Sequence, residues 1–355
     1  MKLYSLLLLL ISITFVASFS KELEKEFKAY VKKFNKKYKN KFEENRAKKF
    51  FKKCLNEINE TNKKNLGFTL APSVFCDQDP KTFHKGESLS VPAPPLSLGR
   101  AVSFVDPSIY PPGPPSVDWT TSGCISRVKD ESFYCGACYA FSAIAALEAH
   151  WCLKNNISVT MSEQMIIDCT NKYYGNKACE GGSQGASWTY IQNIADGIES
   201  DETYPYNEFN ESIAKTFQPC KYNRSRSVAT VIGYSRIRSN NPELIKNAIA
   251  AVGPVAASMN GAIPSFAYYD TGVYSDPACI PSMSHSVLIV GYGVDDSVDP
   301  PMPYWLCKNS WSSDWGGMQG YFKIQRGVNM CGIENQLVYP IVPDAASYKA
   351  KKRIG

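Results

Sequence analysis

The sequence predicts an α+β protein of two lobes, entered through a charged helical leader. Three observations carry this. Helical patterns dominate the first half of the main region, strand patterns dominate its second half, and a proline-rich stretch separates that region from what precedes it. The 355 residues suffice for two domains, or for one domain with appendages.

The elements follow in order. Residues 1–18, MKLYSLLLLLISITFVAS, join a basic start, an apolar stretch and small residues, the pattern of a secretory signal peptide. The apolar stretch is shorter than a comfortable bilayer span, which argues against a membrane anchor. An oxidising compartment would let the twelve cysteines pair and makes the sequons at Asn59, Asn156, Asn210 and Asn223 glycan candidates. Residues 21–64 are highly charged, with Phe27, Tyr30 and Phe34 on one helical stripe and Phe51, Leu55, Ile58 and Asn62 on another. Both helices need a surface to lie against. Lys32, Lys33, Lys36, Lys37, Lys39 and Lys41 supply a good part of the +6 net charge and read as a solvated helix face. No nucleic-acid-binding signature accompanies them.

Residues 90–116, ending YPPGPPSVDW, resist helix and form an extended linker. Beyond it charge falls while cysteine, glycine and aromatics rise. Tyr139 to Leu153 reads as a helix, and a second follows Ser162, a good N-cap. Asn241, Pro242 and Glu243 announce a third, with Leu244, Ala248 and Val252 on one face. SVLIVGYG from Ser286, YWLCKN from Tyr304 and GYFKIQ from Gly320 read as strands. The residues from Asp344, with KAKKR, read as a loose basic extension.

The chemistry concentrates at DESFYCGACYAFS, Asp130 to Ser142. A thioredoxin-like redox pair would need its CxxC after a strand in a βαβ unit, and the flanks are wrong. A zinc site would need two further ligands at sensible spacing, and the three histidines (His84, His150 and His285) offer none. The remaining reading makes Cys138 a nucleophile opening a helix, where orphan N–H groups and the helix dipole favour a thiolate. Such a group needs an imidazole and something to orient it. His150 lies twelve residues along the same helix, roughly 18 Å away, and reads as a helix-surface or boundary residue. His285 stands just before an apolar strand, a good platform for a base.

These residues resemble the papain family of cysteine proteases, and more closely its cathepsin L-like preproenzymes. Cys135-Gly136-Ala137-Cys138-Tyr139 matches the local signature around the family's nucleophile. CEGG at Cys179, SHSVLIVGYG around His285, KNSWSSDWGG from Lys308 and NMCGIENQLVYP follow in the family's order. The resemblance implies a two-lobed fold with a helical left lobe and a β-barrel-like right lobe, the active site lying between them. It implies a signal peptide at 1–18, an inhibitory propeptide with its linker at 19–113, a peptidase domain at 114–343 and a basic tail at 344–355. Cys138 would supply the thiolate, His285 the imidazole and Asn309 the carbonyl that orients it, with Trp311 as a shield. Gly181 and Gly182 would bond an extended peptide, and Ser183, Gln184, Ser258, Met283 and Gln336 would form the specificity pocket. Polar side chains among these predict tolerance of polar or basic substrate residues. Disulfides would join Cys135–Cys179, Cys169–Cys220 and Cys279–Cys331. Cys138 stays free, Cys54 and Cys76 fall in the leader, and a Cys124–Cys152 bridge is left open beside Cys307. In the leader, Glu43, Phe51, Ile58, Asn62 and Phe75-Cys76-Asp77 fit the inhibitory pattern, although Cys54 stands where Asn is usual and Arg46 is one place out of register.

Three residues of the peptidase domain depart from the family. Glu131 aligns with a Gln whose amide donates to the developing oxyanion, and one extra residue precedes Cys135. An ionised Glu has no proton to donate. Tyr139 replaces Trp, and Ser312 replaces Gly. Two readings of different classes result: a secreted or lysosomal endopeptidase made as a zymogen, and an impaired homologue that binds peptides or regulates a partner. Neither requires a cofactor or metal. The expected partners are peptide or protein substrates and the chain's own propeptide, with a monomeric state.

Overall fold

The computed structural model describes residues 21–82 and 103–354, apart from 171–174, 210, 215 and 238–240. The signal-peptide segment, His84, the first part of the proline-rich linker and the Asn210 sequon lie outside the described residues.

The leader forms α1 (residues 21–33) and α2 (Lys41–Asn62). Asn40 caps α2 by accepting the Glu43 N–H at 2.9 Å, while the Glu43 carboxylate takes the Lys39 N–H at 2.6 Å. The stripes expected from the sequence meet each other: Phe51 lies 5.5 Å from Phe27 and 4.8 Å from Tyr30, ring to ring. Asn62 then clamps both backbone polar groups of Leu70, donating at 2.9 Å and accepting at 2.8 Å. This fixes β1 (Phe68–Leu70); β2 (Ser103–Val105) and β3 (Val117–Asp118) follow.

The helical half contains α3 (Cys138–Asn155), α4 (Glu163–Cys169) and α5 (Gln184–Tyr190), with the short β4 (Ile198–Glu199), α6 (Glu211–Ala214) and β5 (Ser227–Ala229) beyond them. Ser162 caps α4 through the Met165 N–H, as its residue type anticipates. Nearly every side chain of α3 is buried, so it is a central helix packed on all sides rather than an amphipathic one.

The second half runs β6 (Gly233–Ile237), α7 (Pro242–Val252), β7 (Val255–Met259), α8 (Pro264–Ala267), β8 (Tyr269–Tyr274), β9 (His285–Asp295), β10 (Met302–Lys308), β11 (Tyr321–Gln325), β12 (Leu337–Ile341) and α9 (Ala345–Ile354). α7 begins at the expected Asn-Pro-Glu signal but buries Ile245, Ala248 and Ile249. The face is therefore rotated from the Leu244–Ala248–Val252 expectation, with Leu244 and Val252 only half-buried at its edges. The sheet order is β1-β8-β11-β10-β9-β7-β12-β6-β2, with β3 beside β9. β8–β11 and β2–β6 are parallel pairs and the other pairs are antiparallel.

The strand-rich lobe is thus an open sheet and not a closed barrel. Both of its outermost strands, β1 and β2, come from the leader, which satisfies edges that would otherwise stay unpaired. Two apolar cores lie on either side, one joining the leader to the sheet and one filling the helical half. The C-terminal tail is not loose: α9 buries Ala345 and Tyr348, and the Tyr348 hydroxyl meets the Ser227 hydroxyl at 2.6 Å.

Candidate active site

Two elements from opposite halves deliver the central residues. Cys138 is the first residue of α3 and His285 the first of β9. The N-cap of α3 is Ala137, which has no side chain to satisfy the helix's first N–H groups, so these remain for an anion. The thiol of Cys138 interacts with Ser286, the neighbour of His285.

The imidazole is held from two sides. Its Nε2–H donates to Asn309 Oδ1 at 2.8 Å, and the same oxygen accepts the Ser310 N–H at 2.9 Å. This bond assigns the tautomer with the proton on Nε2 and leaves Nδ1 for acid–base work. The Trp311 ring lies 4.6 Å from the His285 ring and covers the contact. Asn309 itself is set by its backbone N–H, which donates to Gly320 O at 2.9 Å.

Glu131 occupies the gap between these groups. Its Oε1 accepts the Trp311 indole N–H at 2.7 Å and lies 4.0 Å from His285 Nδ1. Its backbone is tied down twice: its N–H donates to Ser310 O at 2.9 Å, and its carbonyl accepts the Tyr206 hydroxyl at 2.5 Å. Upstream, buried Lys129 donates to Glu163 at 2.7 Å and to Glu148 at 3.2 Å, anchoring the loop to α4 and α3. The extra residue is absorbed at Ser132, which turns at φ 63° and donates its hydroxyl to Glu208 O.

Electrostatics in this leader-covered cleft favour neutral forms. Burial pushes the Cys138 thiol far up, a Glu131 charge pushes it further, and the Ser286 contacts pull only partly back. Burial pulls the His285 imidazole down to about 4, against the hydrogen bond to Asn309. Burial also pushes the Glu131 carboxyl well above the usual carboxylate range, with Asp130 adding to it and Trp311 and Ser310 opposing.

The other anticipated residues fall around this centre. Gly181 takes φ 113°. Gly182 is forced by space, since a Cβ there would meet Asn176 Oδ1 at 2.4 Å and the Tyr139 ring at 2.7 Å. Ser183 caps α5. Met283 and Gln336 are half-buried, while Ser258 is buried. Gln184 is also buried; it donates to the Ser142 and Ser286 hydroxyls, bridging the two halves rather than facing a pocket. Ser312 adopts φ 70°, a conformation that explains why Gly suits this place. His150 is buried away from the site, its Nε2 2.8 Å from Pro254 O and its ring stacked on Tyr339, so the expectation of a surface histidine is corrected.

The structure pairs Cys135–Cys179, Cys169–Cys220, Cys279–Cys331 and Cys124–Cys152, leaving Cys138 and Cys307 free. A fifth bridge, Cys54–Cys76, had not been anticipated. It ties α2 to the segment whose Phe75 packs edge-on against Trp311 at 5.0 Å. Tyr206, Ser286 and this bridge are functional neighbours that sequence reasoning missed. Only the bridge left a signal, two leader cysteines without partners.

A cysteine thus opens the central helix of one half, an Asn-held histidine opens a strand of the other, and the leader packs against the tryptophan that covers the histidine. The papain family cysteine protease model matches residues 113–341, and the cathepsin propeptide inhibitor domain (I29) matches residues 27–83. The chain belongs to the papain family of cysteine proteases. It is 37% identical over 245 residues to cathepsin L1 of Drosophila melanogaster, covering 68% of this chain and 62% of that protein. It is 40% identical over 229 residues to cathepsin S of Mus musculus, covering 64% and 63%. The chain thus spans a little under two thirds of the length of these relatives. The structure of digestive procathepsin L2 proteinase from the larval midgut of Tenebrio molitor superposes with a TM-score of 0.77 at 29% identity, covering 90% of this chain and 99% of that one.

Proposed function

We propose that this chain is the zymogen of a cysteine endopeptidase that hydrolyses peptide bonds through Cys138, His285 and Asn309. The observation that carries this is the 2.8 Å bond from His285 Nε2 to Asn309 Oδ1 under the Trp311 ring, in the half of the molecule opposite α3. Once the leader leaves, water and the α3 N-terminus favour the thiolate–imidazolium pair. Cys138 Sγ attacks the peptide carbonyl carbon, whose oxygen becomes an oxyanion. His285 Nδ1 gives its proton to the departing amine, forming a thioester; water then attacks that ester with His285 as base, releasing the acid and restoring the thiol. Gly181 and Gly182 bond the extended substrate backbone. Ser183, Met283 and Gln336 admit polar or basic side chains beside apolar ones, and a peptide library accepting only bulky apolar residues would remove that part of the reading.

The leader is the chain's own inhibitor, and the peptidase works as a monomer in the secretory pathway, reaching a lysosome or the exterior. No described helix is long and apolar enough to cross a membrane. The second reading, a peptide-binding homologue with little turnover, is favoured by the carboxyl at Glu131. The test is to mature the protein at low pH, titrate it with a thiolate-alkylating epoxide and follow peptide hydrolysis, with Cys138→Ala as control. Labelling with turnover, both lost in Cys138→Ala, supports the enzyme. Labelling without turnover puts the binding reading first.

A further inference from the structure

Glu131 is a buried carboxyl at the centre of the site whose two oxygens are not equivalent. Oε1 is committed as an acceptor, because the indole N–H of Trp311 at 2.7 Å can only donate. Oε2 is buried and, among the described residues, makes no hydrogen bond of good geometry, although the Ser310 hydroxyl acts on the carboxyl. An ionised carboxylate would leave that oxygen stripped of water and unsatisfied, an expensive arrangement. A carboxylic acid with its proton on Oε2 is the form that suits an indole donor on one oxygen and no well-formed donor on the other.

The surroundings agree. Asp130 in the same loop raises the carboxyl further, and Asp314 in turn acts on Asp130. Tyr206, packed over the Glu131 backbone, feels Glu131, Glu208, Asp130 and Glu163, all acidic. The Ser310 hydroxyl and the Trp311 indole favour the charged form, and His285, with Nδ1 4.0 Å from Oε1, is the one group among the described residues in ion-pair range that can become a cation. A charge on Glu131 also raises the Cys138 thiol, so ionising Glu131 disfavours the thiolate.

We propose that Glu131 works as a neutral carboxylic acid whose Oε2–H, with the backbone N–H of Cys138, donates to the oxyanion formed when Cys138 attacks the substrate. This rests on the endopeptidase reading above. The proton stays on Glu131 throughout: the C–S bond forms as the carbonyl π pair moves to oxygen, and the C–N bond breaks as His285 protonates the amine. A neutral donor of this kind works only while protonated, so activity is full at acid pH and falls as pH rises through the raised carboxyl value. An amide in its place would not titrate.

The experiment compares matured wild-type protein with Glu131→Gln and Glu131→Ala, measuring kcat/KM and the rate of epoxide alkylation at Cys138 across pH. Active-site titration counts folded sites in each. The expected result is an alkaline fall in wild-type kcat/KM and alkylation that Glu131→Gln lacks, while Glu131→Ala loses about 10²–10³-fold in kcat/KM at acid pH. A Glu131→Gln profile superimposable on the wild type overturns the proposal while leaving the protease reading intact. Absence of both alkylation and turnover in every variant overturns both. Should Glu131→Gln fail to mature, infrared titration of the wild type decides: a carboxylic-acid band lost in step with kcat/KM supports the proposal, and a carboxylate throughout the active range contradicts it.

Discussion

At the scale of single residues, the site depends on which atom accepts which proton. Asn309 Oδ1 takes the His285 Nε2–H, so Asn309→Ala frees the ring to rotate and strands a buried N–H. Misplacing a catalytic group by about 1 Å costs about 10²-fold in rate; kcat/KM of Asn309→Ala should fall by that order, as steady-state hydrolysis of a peptide will show. Glu131 makes a separate prediction on stability. Its carboxyl is raised in the folded protein, so the folded form holds its proton more tightly than the unfolded chain does. The associated stability is complete below the usual carboxylate range and is lost as pH rises through the raised value. Glu131→Gln should therefore gain in Tm relative to wild type at neutral pH and show no such gain near pH 4, read by thermal melts. Cys138, His285, Asn309 and Trp311 were all legible in the sequence, because each sits in a local motif. The burial of His150, the Gln184 bridge and the Tyr206 contact were not, since each depends on a partner at least 42 residues away.

At the scale of elements, the leader is a scaffold of its own. Asp77 accepts from Tyr30 at 2.9 Å, Lys36 at 2.9 Å and Tyr38 at 3.0 Å, gathering α1, the turn after it and the segment following β1 on one carboxylate. Asp77→Ala strands a nearly buried lysine and should destabilise the leader by about 3–5 kcal/mol, visible as maturation under conditions where the wild-type zymogen stays intact. Cys54–Cys76 closes a separation of 22 residues between α2 and the Phe75 segment. A loop of that order is worth about 3 kcal/mol, so a Cys54→Ser, Cys76→Ser double variant should lose its grip earlier in a denaturant titration of self-inhibition. The helices of the leader were readable from their aromatic stripes. The bridge left only the signal of two leader cysteines, and spacing alone does not say whether they pair with each other or with Cys124, Cys152 or Cys307. α9 was missed for a related reason: its composition is that of a solvated tail, and Tyr348 becomes buried only against Ser227 and Trp151.

At the scale of the whole molecule, the leader does more than cover a groove. It contributes both outer strands of the sheet, one end of the larger apolar core, and the Phe75 edge against Trp311. The α+β, two-lobed class was readable from the switch between periodicities, but the open sheet was not, since strand periodicity fixes faces and leaves closure undetermined. On the endopeptidase reading, the same covering keeps the site silent while the Cys138 thiol and the His285 imidazole are held in neutral forms. Removing the leader hydrates them and lets the α3 N-terminus act on Cys138. The most direct test is the pH dependence of Cys138 alkylation, located by mass spectrometry, in the intact proform and after leader removal. The expected result is negligible labelling of the proform from pH 4 to 7 and rapid, single-site labelling of the matured protein at the acid end of that range. Equal labelling of the two forms would contradict it.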